Sequence, residues 1–119
     1  MKSQSKTVAD ALLADAAVSA IAGGNIYQEE APAMAAFPRV VFAESQSPAV
    51  SADNAVVACT VTFDMEALAA PSAWPLAEAV ILCMEKCGYM CGMAQSAGMT
   101  GPDGTIHQVS MKFTTIKEV

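Results

Sequence analysis

Between Ala55 and Glu66 the chain alternates. Val57, Cys59, Val61, Phe63 and Met65 occupy one parity, and Thr60, Thr62, Asp64 and Glu66 the other. Successive side chains of an extended strand point to opposite faces, so this split describes an antiparallel strand with one face covered and one wet. Thr105 to Lys117 repeats the pattern, with Val109, Met111 and Phe113 one way and Gln108, Ser110, Lys112 and Thr114 the other. Two such strands commit the molecule to a sheet whose apolar face needs a cover. Helices packed on that face are the natural closure.

Two segments supply helices. Thr7 to Ala22 places Val8, Leu12, Leu13, Ala16, Ala17 and Ile21 on one face, with Thr7 as a cap and Gly23-Gly24 as the stop. Pro71 to Cys87 has Ser72 as a cap and Pro75 in its first turn. Trp74, Ala77, Ile81, Met84 and Cys87 form its stripe, and Gly88 ends it. Ile26 to Glu29 is a short extended piece, and Ala31 to Pro38 a connector held away from helix by its prolines. Arg39 to Glu44 reads as a strand, as does Tyr89 to Gln95 with Gly92 interrupting it. Ser45 to Asn54 reads as a loop or hairpin tip, and Ser96 to Gly104 as a loop dense in turn formers. The expectation is one α+β domain over residues 1–119 in the order α-β-β-β-α-β-β. It has a mostly antiparallel sheet, two helices packed on one face, and residues 1–6 flexible.

At 119 residues and 54% hydrophobic, the chain is long and apolar enough to bury a core and does not read as disordered. No run of about 18 apolar residues is free of charge or proline, so the pattern offers no membrane-spanning helix. Twelve acidic side chains against six basic ones argue against a protein that grips phosphate backbones. The polar start, Met1 to Lys6, lacks the apolar core of a secretion signal, which points to the cytosol.

The sharpest chemical pattern is Cys83, Cys87 and Cys91, spaced C-x3-C-x3-C. Zinc sites use tighter pairs such as C-x2-C, and a fourth ligand would have to come from Cys59 or His107. Buried thiols behave as small hydrophobes, and that reading fits better. His107, the only histidine, shares strand parity with Val109 and Met111 and reads as a hydrogen-bonded sheet residue. Glu29-Glu30 and Asp64-x-Glu66 are paired acids, the second pair on the wet face of its strand, where like charges solvate a sheet. The glycines at 98, 101 and 104 lack the strand-glycine-helix order of a phosphate site. No catalytic, cofactor or metal residue is assigned. The rival reading is a small thiol or metal-binding protein using the four cysteines and His107. Long loops in a compact domain are commonly functional, so Glu44, Asp53 and Asp103 are interface candidates.

Several strings resemble one known family. Val8-Ala9-Asp10-Ala11-Leu12-Leu13 leads to Gly23-Gly24-Asn25-Ile26-Tyr27. Ala31-Pro32 is followed by Phe37-Pro38-Arg39-Val40-Val41-Phe42, then Cys59-Thr60-Val61-Thr62-Phe63-Asp64 and Leu76-Ala77-Glu78-Ala79-Val80. His107 to Phe113 closes the series. From about Val8 to Lys117 this resembles the tail completion or tail terminator (head–tail joining) proteins of long-tailed bacteriophages. The cysteine-rich stretch and the Ser96 to Gly104 loop depart from the family pattern. The resemblance implies a structural virion protein without catalytic activity. Such a protein forms a homo-oligomeric ring, commonly of six subunits, at the head-proximal end of the tail. The ring ends tube growth and helps join tail to head, or serves as another neck, connector or minor tail component. Its implied partners are itself, the tail tube protein and a neck or head-completion protein. Its implied location is the bacterial host cytoplasm during assembly and then the virion tail. DNA would pass without specific binding, past channel-facing acids for which Glu29, Glu30, Asp64 and Glu66 are the candidates.

Overall fold

The computed structural model describes residues 2–32 and 35–119. Met1 of the expected flexible terminus, and Ala33 and Met34 of the connector, lie outside the described residues. Three helices and five strands follow in chain order: α1 (Ser5–Ala14), α2 (Ala16–Ala22), β1 (Ile26–Gln28), β2 (Arg39–Ala52), β3 (Ala55–Ala69), α3 (Trp74–Lys86), β4 (Met90–Thr100) and β5 (Ile106–Glu118). The strands form one sheet in the order β1-β2-β3-β5-β4, antiparallel except for the β1–β2 pair.

The alternating strands make the core. Register sets Phe63 opposite Phe113, Met65 between Phe42 and Met111, and Ala67 between Val40 and Val109. All of these are buried, and the helices cover them with Val8, Leu12, Val18, Leu76, Val80 and Met84. Phe63 is the hub, tilted against Phe42 at 5.8 Å and edge-on to Tyr89 at 5.4 Å. Full burial of one such side chain is worth about 1.5–3 kcal/mol, so this layer holds helices and sheet together.

The helix expected over Thr7 to Ala22 is two helices. Asp15 is extended (φ −74°, ψ 122°), and its Oδ1 accepts from the amides of Ala17 and Val18, both at 3.0 Å. A side-chain acceptor that satisfies the free amides of a new first turn restarts the helix there. At α3 the sequence reading holds more closely. The N-cap is Ala73 and not the expected Ser72, although the Trp74 amide donates to Ser72 Oγ; Pro75 falls in the first turn, and the helix ends at Lys86. Trp74 is not buried in the stripe; it stays partly exposed and its indole N–H donates to Ser96 Oγ.

Both expected loops are mostly strand. β2 runs on to Ala52 through Pro48, and only Asp53 and Asn54 turn. Their φ values of 51° and 62° suit a two-residue hairpin turn with both residues left-handed. Pro48 is tolerated because of the direction its nitrogen faces. The Phe42 carbonyl accepts from Glu29 and the Val40 amide donates to Asn25, so even-numbered residues of β2 turn their backbone away from β3. Pro48, six residues beyond Phe42 and still in register with Cys59, therefore directs its ring nitrogen to the open edge and costs no ladder bond. β4 likewise reaches Thr100, leaving a turn at residues 101–105. Gly101 sits there at φ 95°, and a Cβ on it would come 2.6 Å from Ile106 Cγ1. The long hairpins stretch the molecule to 54 × 25 × 23 Å.

Candidate assembly surface

Helices cover one sheet face only. On the other, Val41, Asp64, Glu66, Met93, Ser110 and Lys112 stand side by side, because register places Asp64 opposite Ala43 and Lys112, and Glu66 opposite Val41 and Ser110. Glu29, just past β1, joins them. Its amide donates to the Phe42 carbonyl at 2.6 Å and its φ is 66°. Glu29, Asp64 and Glu66 thus line one shallow groove of about 270 Å³ on the bare face. Glu30 lies outside the groove lining. The sole basic partner among the described residues is Lys112, with Nζ 3.8 Å from Asp64 Oδ1 and both side chains more than half exposed. Such a pair is worth about 0–1 kcal/mol, so the groove keeps a negative field. Lys112 was missed as part of this surface, although its parity in the last strand, opposite that of Met111, puts it on the wet face.

The three interface candidates sit apart. Glu44 is in β2, not a loop. Its carboxylate accepts from Ser3 Oγ (2.6 Å), the Gln4 amide (2.8 Å), Ser5 Oγ (2.7 Å) and Gln46 Nε2 (2.7 Å). Burial on its own would raise its pKa, but the four hydrogen bonds outweigh burial and hold the carboxyl down at about 2. Glu44 therefore fastens the chain entering α1 to the sheet. Asp53 is at the tip of the β2–β3 hairpin, exposed. Asp103 is exposed in the β4–β5 turn, where Oδ1 accepts from the Thr105 amide (3.2 Å) and hydroxyl (2.7 Å), which lowers its pKa.

Cys83 and Cys87 lie close enough at the end of α3 to interact, but the four thiols do not gather at one point. Cys59 Sγ donates to Gln46 Oε1, Cys83 Sγ to the Ala11 carbonyl and Cys91 Sγ to the Met93 carbonyl. Among the described residues no three His, Cys, Asp or Glu side chains are gathered as metal ligands. His107 pairs with Ala69 and Met99 across the sheet and lines a small recess beside Trp74.

A family profile described as tail completion protein gp17 matches residues 6–118. A chain in a solved structure, the virion of a native gene transfer agent particle, superposes with a TM-score of 0.69 at 16% identity. The match covers 94% of this chain and 92% of that one. A sequence search of curated proteins finds no match.

Proposed function

Because the chain belongs to the tail completion protein gp17 family and is a structural phage tail protein, we propose that it closes the head-proximal end of the tail as a homo-oligomeric ring. The ring has six subunits, no catalytic activity, and a channel lined by the bare sheet face. It ends tube growth, contacts the tail tube protein on one side, and meets a neck or head-completion protein on the other. Assembly takes place in the host cytoplasm.

The observation that carries this reading is the gathering of Glu29, Asp64 and Glu66 on a helix-free face, where Lys112 is the one side chain ion-paired to any of them among the described residues. A wall of fixed negative charge repels phosphates, so duplex DNA can slide through without sticking. Rings also need two different patches on each subunit, and an elongated sheet with unlike ends and faces offers them.

Deleting the gene from its phage or prophage and imaging the lysate tests the role. Overlong, unattached tails beside filled heads are expected. Unattached tails of normal length would move the protein to the joining step, and intact infectious particles would sink the tail reading. Neutralising Glu29, Glu30, Asp64 and Glu66 to their amides should slow DNA ejection from assembled particles. Ejection at the parental rate would remove the channel assignment.

A further inference from the structure

One bond of the chain joins an aspartate to a glycine. Asp10, Asp15, Asp53 and Asp64 are followed by Ala11, Ala16, Asn54 and Met65, and only Asp103 by Gly104. That bond lies in the β4–β5 turn, where Asp103, Gly104 and Thr105 are all exposed. Gly104 has φ 72°, and a Cβ placed on it would meet no atom within 4 Å. A side chain after an aspartate shields the amide nitrogen between them; glycine leaves that nitrogen open to the carboxyl carbon. Hydrogen bonds hold both groups. Asp103 Oδ1 accepts from the Thr105 amide at 3.2 Å and from the Thr105 hydroxyl at 2.7 Å, and the Gly104 amide donates to the Gly101 carbonyl at 3.2 Å.

We propose that Asp103–Gly104 is a site of spontaneous isomerisation to isoaspartate, and that the Thr105 hydroxyl restrains it. The only co-reactant is water. The Gly104 nitrogen attacks Asp103 Cγ and gives up its proton. A C–N bond forms, a carboxyl C–O bond breaks and one water leaves, closing a five-membered succinimide. Water then reopens the ring. Cleavage of the new C–N bond restores aspartate, whereas cleavage at the backbone carbonyl leaves isoaspartate, with the chain routed through Cβ and Cγ. The product has the parental mass and one more carbon in the backbone of the turn. Thr105 opposes the first step because its hydrogen bonds favour the carboxylate and lower the Asp103 pKa, while the protonated acid is the form that releases water. The Gly101 carbonyl meanwhile engages the attacking amide.

Peptide mapping of the full chain tests it. Parent, Thr105→Val and Thr105→Ser proteins are held for weeks at pH 6 and digested. Isoaspartate at each aspartate is then quantified by chromatography with mass detection and by isoaspartyl methyltransferase labelling. Thr105→Val keeps the side-chain shape and removes the hydroxyl, so Asp103 should isomerise about fivefold faster than in the parent, the worth of one hydrogen bond. Thr105→Ser keeps the hydroxyl and should match the parent. Both variants change an exposed turn residue and should keep the parental circular dichroism; if the valine variant does not, Thr105→Ala replaces it. Parent chain unfolded in urea gives the unrestrained rate, which should exceed the folded one and be highest at Asp103. Equal Asp103 rates in parent and Thr105→Val would overturn the restraint. Another aspartate outpacing Asp103 in urea, or no isoaspartate at Asp103 in Thr105→Val, would overturn the site.

Discussion

Replacing Glu44 by Gln isolates one carboxylate that ties the N-terminal segment to the sheet. Glu44 receives four hydrogen bonds, three of them from Ser3, Gln4 and Ser5 at the start of α1. A glutamine side chain offers one acceptor oxygen and no charge, so the two bonds to the other oxygen are lost and the remaining two lose their charge assistance. Moving a carboxyl from its ordinary 4.5 to about 2 corresponds at face value to roughly 3 kcal/mol. The group is partly open to water, which screens it, and about half that value, ~1.5 kcal/mol, is the expected loss at pH 7. For a domain of this length that lowers Tm by about 6 °C. The sign with pH follows from linkage. A depressed carboxyl stabilises the fold above its unfolded pKa, and that contribution disappears as pH falls from about 4.5 towards 2. Thermal unfolding by circular dichroism should show parent and Glu44→Gln well separated at pH 7 and converging near pH 2. Equal Tm at pH 7, or a gap that persists unchanged to pH 2, would refute the reasoning.

Three more outcomes follow from the same geometry. Asp15→Ala removes the acceptor for the Ala17 and Val18 amides and should cost ~1 kcal/mol, seen as a denaturant midpoint shift without change in slope. An unchanged midpoint would mean the helix break stands without its cap. Phe63→Ala opens the centre of the core and should cost about 3–5 kcal/mol, enough to leave little folded protein by circular dichroism. Burial, with smaller contributions from Cys87 and Asp15, raises the Cys83 thiol to about 12. Iodoacetamide at pH 8 should therefore alkylate the partly exposed Cys87 and Cys91 first; equal labelling of Cys83 would contradict that environment.

Parity carried most of what the sequence could say. Cys59, Val61, Phe63 and Met65 are buried as their alternation requires, and Asp64 and Glu66 are exposed as theirs does. What parity could not reach were features decided by distant partners. Nothing within Ser45 to Asn54 announces a strand: its residues are small and polar, and it is held by register against residues 55–62 of β3. Asp15 was legible in principle, because an aspartate followed two and three residues on by free amides is a cap. The apolar spacing ran through it and concealed the break. Glu44 reads as an acid where a strand runs into a loop until Ser3 and Ser5, some forty residues earlier, are seen folded against it. The gathering of Glu29 with Asp64 and Glu66 depends on β1 pairing parallel to β2, a choice no local pattern dictates.

The sheet's edges explain why assembly should run through side chains and not through strand addition. An unpaired edge is a template for any passing strand, and a protein that assembles into the proposed ring would be exposed to that hazard. Here β1 covers β2 only from Val40 to Phe42, and beyond it Pro48 turns a donor-less nitrogen to the open side. On the opposite edge β4 carries no charge, but its pairing with β5 slips at Cys91/Met93 and again at Ser96/Met99. Bulges twist an edge and interrupt its regular donors. Both edges are thus poor templates, although one is long and the other apolar in part. Indiscriminate strand pairing would let chains polymerise wherever they met, whereas side-chain contacts demand one orientation. An elongated chain with blunted edges is thereby protected against uncontrolled strand addition, and the proposed ring would have to be built from side-chain contacts of fixed orientation.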